Sequence, residues 1–354
     1  MRIAQIAPLS ESVPPRRYGG TERIVSSLTE ELVRQGHEVT LFASGDSVTR
    51  ATLVPGCERA LRLDPETRDP LALHVAQLAE VFRRAETFDV LHFHTDYLHF
   101  LALRNLPVAH VTTLHGRLDL PELPPLYRHF AEVPLVSISD AQRKPIPWAN
   151  WQATVHHGLP LDEFRCQDQP EEYFAFVGRI SPEKRLDRAI DIAVRLGRPL
   201  RIGAKIDRAD QDYFDAQIKP LLANPLVEFL GEIDDSEKQE LIGNARALLF
   251  PIDWPEPFGI VMIEAMACGT PVIAFRHGSV PEVIEPGLTG FIVESIDEAV
   301  EAARRIHTVD RRACRQRFEE RFTAPRMAGN YLRVYGQLID SWSQRATQGV
   351  LDVR

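Results

Sequence analysis

Short apolar runs and longer amphipathic stretches alternate along almost the whole chain. Ile3–Ala7, Val39–Ala43, Val90–His94, Val108–Leu114, Leu135–Ile138 and Ala153–His156 are brief and apolar, and they read as strands. Between them, stretches such as Thr21–Gln35 and Leu71–Ala85 carry apolar residues at helical spacing. The same rhythm restarts at Tyr173–Gly178. It continues through Leu200–Gly203, Val227–Leu230, Ala247–Phe250, Val272–Phe275 and Gly290–Val293. Short apolar strands separated by helices predict an α/β protein whose parallel sheets are covered on both faces.

A polar, acidic segment with Pro160 and Pro170 separates the two series. The expected division is therefore a Rossmann-like domain over 1–160, a linker over 161–172, a second Rossmann-like domain over 173–325 and a terminal helix over 326–354. Met327, Tyr331, Val334 or Tyr335, Leu338 and Trp342 give that last helix one apolar face. It suits either a cap on the second domain or a helix packed back on the first.

Composition narrows the function. The chain has 354 residues and is 44% hydrophobic, enough for two cores. Its net charge is −9. Residues 1–160 hold 16 Lys+Arg and 18 Asp+Glu, a net of −2, which leaves 25 and 32, a net of −7, in the remainder. Neither half is basic enough to make nucleic acid an expected partner. Arg16-Arg17 and Arg83-Arg84 are the local basic pairs that could meet anionic lipid or an acidic acceptor, although such pairs also suit a solvated face. No apolar run reaches the roughly 18 residues of a membrane span, and the N-terminus reads as a strand rather than a signal peptide. Cys57, Cys166, Cys268 and Cys314 are widely spaced and read as reduced thiols, so a cytoplasmic location is expected.

The densest chemistry lies in Pro255–Pro271. Glu256 falls in a loop, and Ile260–Ala267 is an unbroken helix former ended by Gly269-Thr270-Pro271. The first unpaired amides of that helix belong to Phe258, Gly259 and Ile260, a setting that suits a phosphate. Glu264 lies about five residues further on, roughly 7–8 Å along the axis. That offset matches the gap between a nucleotide's diphosphate and its ribose. By itself the pair would also suit one capping and one exposed carboxylate.

Gly178-Arg179-Ile180-Ser181-Pro182-Glu183-Lys184-Arg185 follows the first strand of the second series. Arg179 offers a planar fork and Lys184 a point charge, and the two could converge on one diphosphate. Gly19-Gly20 lies between the first strand and first helix, where it frees amides or simply makes a tight turn. It is not a G-x-G-x-x-G fingerprint, so no dinucleotide cofactor is expected. His115 ends a strand and would face a ligand at the sheet's carboxyl edge, unless backbone satisfies it. His92-Phe93-His94 with His99 lacks the further ligands of a metal site, and no metal is expected. Asp210-Gln211-Asp212 reads as helix capping.

The Glu256–Glu264 spacing, with Phe-Gly-Ile-Val-Met-Ile and Ala-Met-Ala-Cys-Gly-Thr-Pro around it, resembles the E-x7-E signature of the family 4 retaining glycosyltransferases. Gly178-Arg179 with Lys184 resembles that family's G-R-x-x-x-x-K element. The glycine turn and the His115-Gly116 strand end follow in family order. The resemblance implies the GT-B fold: two doubly wound Rossmann-like domains facing each other across a cleft. It implies transfer of a sugar from a nucleotide-diphosphate sugar, UDP-glucose-like or GDP-mannose-like, to a hydroxyl acceptor that is a carbohydrate, a lipid-linked group or a small molecule.

On this resemblance Arg179 and Lys184 hold the diphosphate, Glu256 orients the donor sugar, Glu264 holds the ribose and His115 contacts the sugar. Gly19, Gly20, Phe258, Gly259 and Ile260 border the donor. The reaction would need neither metal nor cofactor. The terminal helix would pack back on the first domain. A sugar phosphorylase, a sugar-nucleotide epimerase and a non-catalytic sugar-nucleotide sensor are the alternatives on the same architecture.

Overall fold

The computed structural model describes residues 1–103 and 106–351, with side chains through Gln344. Two compact units result: Met1–Gly158 together with the terminal segment from Ala324, and Leu159–Thr323.

In the first unit the strands are β1 (Arg2–Ile6), β2 (Glu38–Ser44), β3 (Thr52–Cys57), β4 (Val90–Phe93), β5 (Ala109–Thr113), β6 (Leu135–Ser137) and β7 (Trp151–Thr154). Among the described residues they form one parallel sheet in the order β3-β2-β1-β4-β5-β6-β7. The order reverses between β1 and β4, the switch point where doubly wound sheets bind ligands at their carboxyl ends. β3 is absent from the sequence expectation because it is a half-buried edge strand interrupted by Pro55-Gly56.

One face of this sheet is apolar: Ala4, Ile6, Phe42, Leu91 and Phe93 pack with Leu78 and Val81 of the helix Pro70–Arg83. The other face is partly polar. There Gln5, His92 and Thr113 are fully buried and meet Tyr331 and Tyr335 of the terminal helix Ala324–Leu351. Met327, Val334 and Leu338 of the same helix are buried as well. The helix begins two residues before the expected 326, and residues 352–354 of that segment lie outside the described residues.

In the second unit the strands are β8 (Phe174–Arg179), β9 (Leu200–Lys205), β10 (Val227–Gly231), β11 (Ala247–Phe250), β12 (Val272–Phe275) and β13 (Gly290–Val293). They pair in parallel in the order β10-β9-β8-β11-β12-β13, with the reversal between β8 and β11. β11 and β12 are buried along their whole length, as their unbroken apolar sequences require.

The segment 161–172, expected as a linker, instead lies on this unit. Arg165 N donates to Gln239 Oε1 at 2.9 Å, Gln167 N to Cys268 O at 3.0 Å and Glu171 N to Asn244 O at 2.7 Å. Its backbone groups are hydrogen-bonded here, so the unit begins at Leu159 rather than 173. No helix among the described residues is long and apolar enough to cross a membrane. Of the basic pairs, Arg83 and Arg84 both lean on Glu80, at 2.6 and 3.9 Å.

Candidate active site

The second unit carries the acidic pair. β11 leads through a loop to the helix Ile260–Ala267, and both carboxylates are nearly buried, Glu256 at 8% exposure and Glu264 at 3%. Charges so enclosed need partners, and each has a lysine. Lys184 Nζ bonds directly to Glu256 Oε2, and Trp254 Nε1 donates to the same oxygen at 3.0 Å. The Lys184 ammonium also lies 5.0 Å from the Trp254 ring centroid and 5.6 Å from that of Phe250. Glu264 Oε1 accepts from Lys238 Nζ at 2.6 Å, with Asp235 at 3.1 Å from the same ammonium.

Backbone geometry fixes where these groups sit. Gly259 precedes the helix at φ 77°, in the left-handed region, and a Cβ there would lie 2.8 Å from Met262 Cε. Gly278, at φ 53°, lies against the Glu256 backbone so closely that a Cβ would be 2.2 Å from Glu256 O. The neighbouring Ser279 N donates to Glu256 O at 3.0 Å, and its hydroxyl donates to Phe258 O at 2.7 Å. Phe258 is buried edge-on against Phe322, which anchors the loop at the helix start.

Arg179 ends β8, whose neighbour is β9. Its guanidinium bonds to Glu183 Oε1 at 2.6 Å, with Asp210 at 3.5 Å and Asp207 at 3.6 Å. Burial pushes the Asp210 carboxyl up from its ordinary value, against the pull of Arg179. Asp210 therefore does not cap the following helix, as its sequence context suggested. It makes no side-chain capping bond and faces the arginine instead. Lys205 pairs with Asp207 at 2.8 Å, and Arg185 pairs with Asp187 and Asp253. Arg179 and Lys184 are thus held by separate carboxylates rather than by a common one.

The first unit carries Gly19, Gly20 and His115. Gly19 precedes the helix Gly20–Arg34, and a Cβ on it would lie 2.6 Å from Pro15 Cβ, so the turn is tight on its inner side. Beside it Glu11 and Glu22 are buried, Glu11 meeting Arg62 at 2.9 Å. Burial and the nearby Glu11 raise the Glu22 carboxyl.

His115 follows β5 and is half-buried. Its Nε2 meets His94 Nδ1 at 2.9 Å, and its ring stacks on His157 with centroids 5.3 Å apart. Its partner is thus a second histidine rather than backbone. The set considered for zinc is engaged in hydrogen bonds: His92 with Tyr335 and Thr113, His94 with Gln5, His99 with Thr112 and Thr95. Among the described residues no group of three or more His, Cys, Asp or Glu could hold a metal ion.

Burial drives His115 down to about 3 and holds His92, His94, His99 and His157 well below the usual histidine range. All five are neutral when folded at neutral pH, while the unfolded chain binds protons near pH 6.5. Their contribution to stability is full above that pH and is lost as pH falls from about 6.5 toward 3. Each histidine adds a slope of up to about 1.4 kcal/mol per pH unit. Denaturant titrations at pH 7.5, 6 and 5 should therefore show a steep loss of stability, and a flat profile would contradict a neutral buried cluster.

Two family models match the chain. Glycosyltransferase Family 4 matches residues 18–151 and glycosyl transferases group 1 matches residues 164–321. The chain belongs to the family 4 glycosyltransferases. Among its relatives is the phosphatidyl-myo-inositol mannosyltransferase of Mycobacterium tuberculosis, 27% identical over 83% of this chain and 82% of that protein. Sucrose-phosphate synthase from Thermosynechococcus elongatus shares the fold at a TM-score of 0.79, with 18% identity over 96% of this chain and 99% of that one. Anabaena HepE, solved with UDP and glucose, does so at 0.74, with 18% identity over 95% and 100%. The two doubly wound sheets are those of the GT-B fold.

Lys238, Trp254, Gly278 and Gln5 carry no role in the sequence analysis, and His94 enters it only as a rejected metal ligand. Lys238 sits in the polar helix Asp235–Gly243, where nothing sets it apart from a surface lysine. The Gly278-Ser279 turn carried the one local signal, a glycine beside a hydroxyl.

Proposed function

We propose that this glycosyltransferase moves a hexose from a nucleotide-diphosphate sugar to a hydroxyl acceptor, with retention at the anomeric carbon and without a metal ion. The observation that carries the reading is the pair of enclosed Lys–Glu contacts, Lys184 with Glu256 and Lys238 with Glu264, set around one helix start. Breaking the bond from sugar to diphosphate puts negative charge on the leaving phosphate. Lys184, Arg179 and the amides at Phe258, Gly259 and Ile260 supply positive charge for it. Glu256 is then released to accept from hydroxyls of the sugar, and Glu264 to accept from the ribose. With the charge met by side chains and amides, the leaving phosphate takes the acceptor's proton on the face it leaves, which gives retention.

HepE was solved with UDP-glucose, and the mycobacterial relative is a mannosyltransferase. Uridine and guanosine donors are accordingly the first to test. Thermal shift with UDP, GDP, ADP and their hexose conjugates, with and without EDTA, provides that test. A ligand confined to the native state adds about 2.7 kcal/mol at a hundredfold excess over Kd. A shift with one base, unchanged by EDTA, is expected. No shift with any nucleotide would point instead to a phosphorylase, which needs none, and a shift abolished by EDTA would refute metal independence.

A further inference from the structure

Between the terminal helix and His115 runs an unbroken series of buried hydrogen bonds. Tyr331 Oη lies 2.9 Å from Thr113 Oγ1, which lies 2.7 Å from His92 Nε2. His92 Nδ1 is 2.7 Å from Tyr335 Oη. Gln5 Nε2 donates to Tyr335 Oη at 3.1 Å, and Gln5 Oε1 lies 2.8 Å from His94 Nε2. His94 Nδ1 then meets His115 Nε2 at 2.9 Å. Beyond it, His115 Nδ1 is buried and has no hydrogen-bond partner.

The direction of these bonds is set at Gln5. Its amide nitrogen only donates and its carbonyl oxygen only accepts. Because Oε1 faces His94, His94 Nε2 must carry the hydrogen. A neutral imidazole has one N–H, so His94 Nδ1 holds a lone pair and accepts from His115 Nε2–H. That leaves His115 Nδ1 as a lone pair too. Burial keeps both rings neutral, so the assignment holds through the physiological range. Rotating the Gln5 amide by half a turn would reverse every bond in the series and make His115 Nδ1 a donor. In the structure the amide takes the rotation that puts Nε2 on Tyr335 Oη, a hydroxyl able to donate or accept, so the direction of the series is read from Gln5 itself.

We propose that Gln5 and His94 are positioning residues that lock His115 in the Nε2–H tautomer, so that it presents Nδ1 as a hydrogen-bond acceptor. The consequence, which rests on the function proposed above, concerns specificity. A lone pair accepts from a sugar hydroxyl and repels a phosphate oxygen. His115 therefore favours a hydroxyl-bearing group of a ligand over an anionic one. Tyr335 ties this choice to the terminal helix, 243 residues from His92 in sequence.

The test is long-range proton–nitrogen NMR on the full chain with 15N-histidine, with His115 assigned by its loss in His115→Gln. In the wild type without nucleotide, His115 should show a protonated Nε2 and an unprotonated Nδ1 from pH 6 to 8. In Gln5→Met and in Tyr335→Phe it should become a mixture of tautomers. With donor and acceptor present, kcat in both variants should fall about tenfold, with donor KM changed less than about twofold. That is the loss expected when about 1.4 kcal/mol of preorganisation is removed. A protonated Nδ1 in the wild type overturns the proposal, as does an unchanged tautomer in both variants. The NMR measurement needs no substrate. A wild-type Nε2–H tautomer in a protein that transfers no sugar would uphold the lock while refuting the proposed function.

Discussion

Lys184→Ala is expected to lower kcat/KM by about a thousandfold. The change removes the cation that the proposed mechanism places on the leaving phosphate, a transition-state interaction worth roughly 3–4 kcal/mol in enclosed sites. It also strands Glu256, whose side chain is 10% exposed and would keep only the Trp254 N–H on that oxygen. Lys184 is 17% exposed, so solvent relieves part of that cost. A stability loss of about 1–3 kcal/mol is expected, below the range for fully buried pairs.

Kinetics and denaturant melts separate the two effects. Lys184→Met keeps the packing against Phe250 and Trp254, loses the charge and should be nearly as inactive. Wild-type-like rates in either variant, in folded protein, would remove Lys184 from the mechanism.

Gly278→Ala should disable the site from behind. The new Cβ would sit 2.2 Å from Glu256 O, 2.4 Å from Glu256 N and 2.7 Å from Pro255 C, all main-chain atoms that cannot rotate away. The φ of 53° adds the left-handed penalty of about 1–2 kcal/mol for a residue with a Cβ. The Pro255–Glu256 segment must therefore move, and Glu256 with it. A displacement near 1 Å is enough to cost about a hundredfold in rate, and a stability loss of about 2–4 kcal/mol is expected. Gly287→Ala is the control. Its φ is 80°, but a Cβ there meets nothing within 4 Å, so it carries the backbone penalty alone. Comparable kcat losses in the two variants would show that crowding of Glu256 is not the cause.

Some elements around the site are legible in the sequence and others are not. The helix Ile260–Ala267 and the strands β11, β12 and β13 fall where their patterns placed them: β11 and β12 are buried along their whole length and apolar throughout, and the helix and β13 are mostly apolar. The edge strand β3 carries no such signal: half its surface is open, and Pro55-Gly56 reads as a turn. The segment 161–172 misled for a related reason. It is polar, yet its backbone is stitched to the second unit through Gln239, Cys268 and Asn244. Composition reports exposure, and these residues are exposed; it says nothing of main-chain hydrogen bonds.

Asp210 marks the same boundary within the site. Acids at a helix start are usually caps, and the local sequence favours that reading. Only the pairing of β8 with β9 brings the loop that follows β9 beside Arg179. Likewise, the spacing of His92-Phe93-His94 argues against a metal site, but only the tertiary structure supplies the partners these rings do have, Gln5, Thr113 and Tyr335.

What the sequence determined by itself was local and periodic: the alternation of elements, the helix start that follows Glu256, and the place of Glu264 at the fifth residue of that helix. Those follow from backbone geometry, which repeats every two residues in a strand and every 3.6 in a helix. What the tertiary structure decided was partnership. Lys184 meets Glu256 across 72 residues, Lys238 meets Glu264 across 26, and Tyr335 meets His92 across 243. Enclosed charges and amides must find partners because water cannot reach them, but which partner arrives is set by the order of strands in the sheet and by where the terminal helix docks.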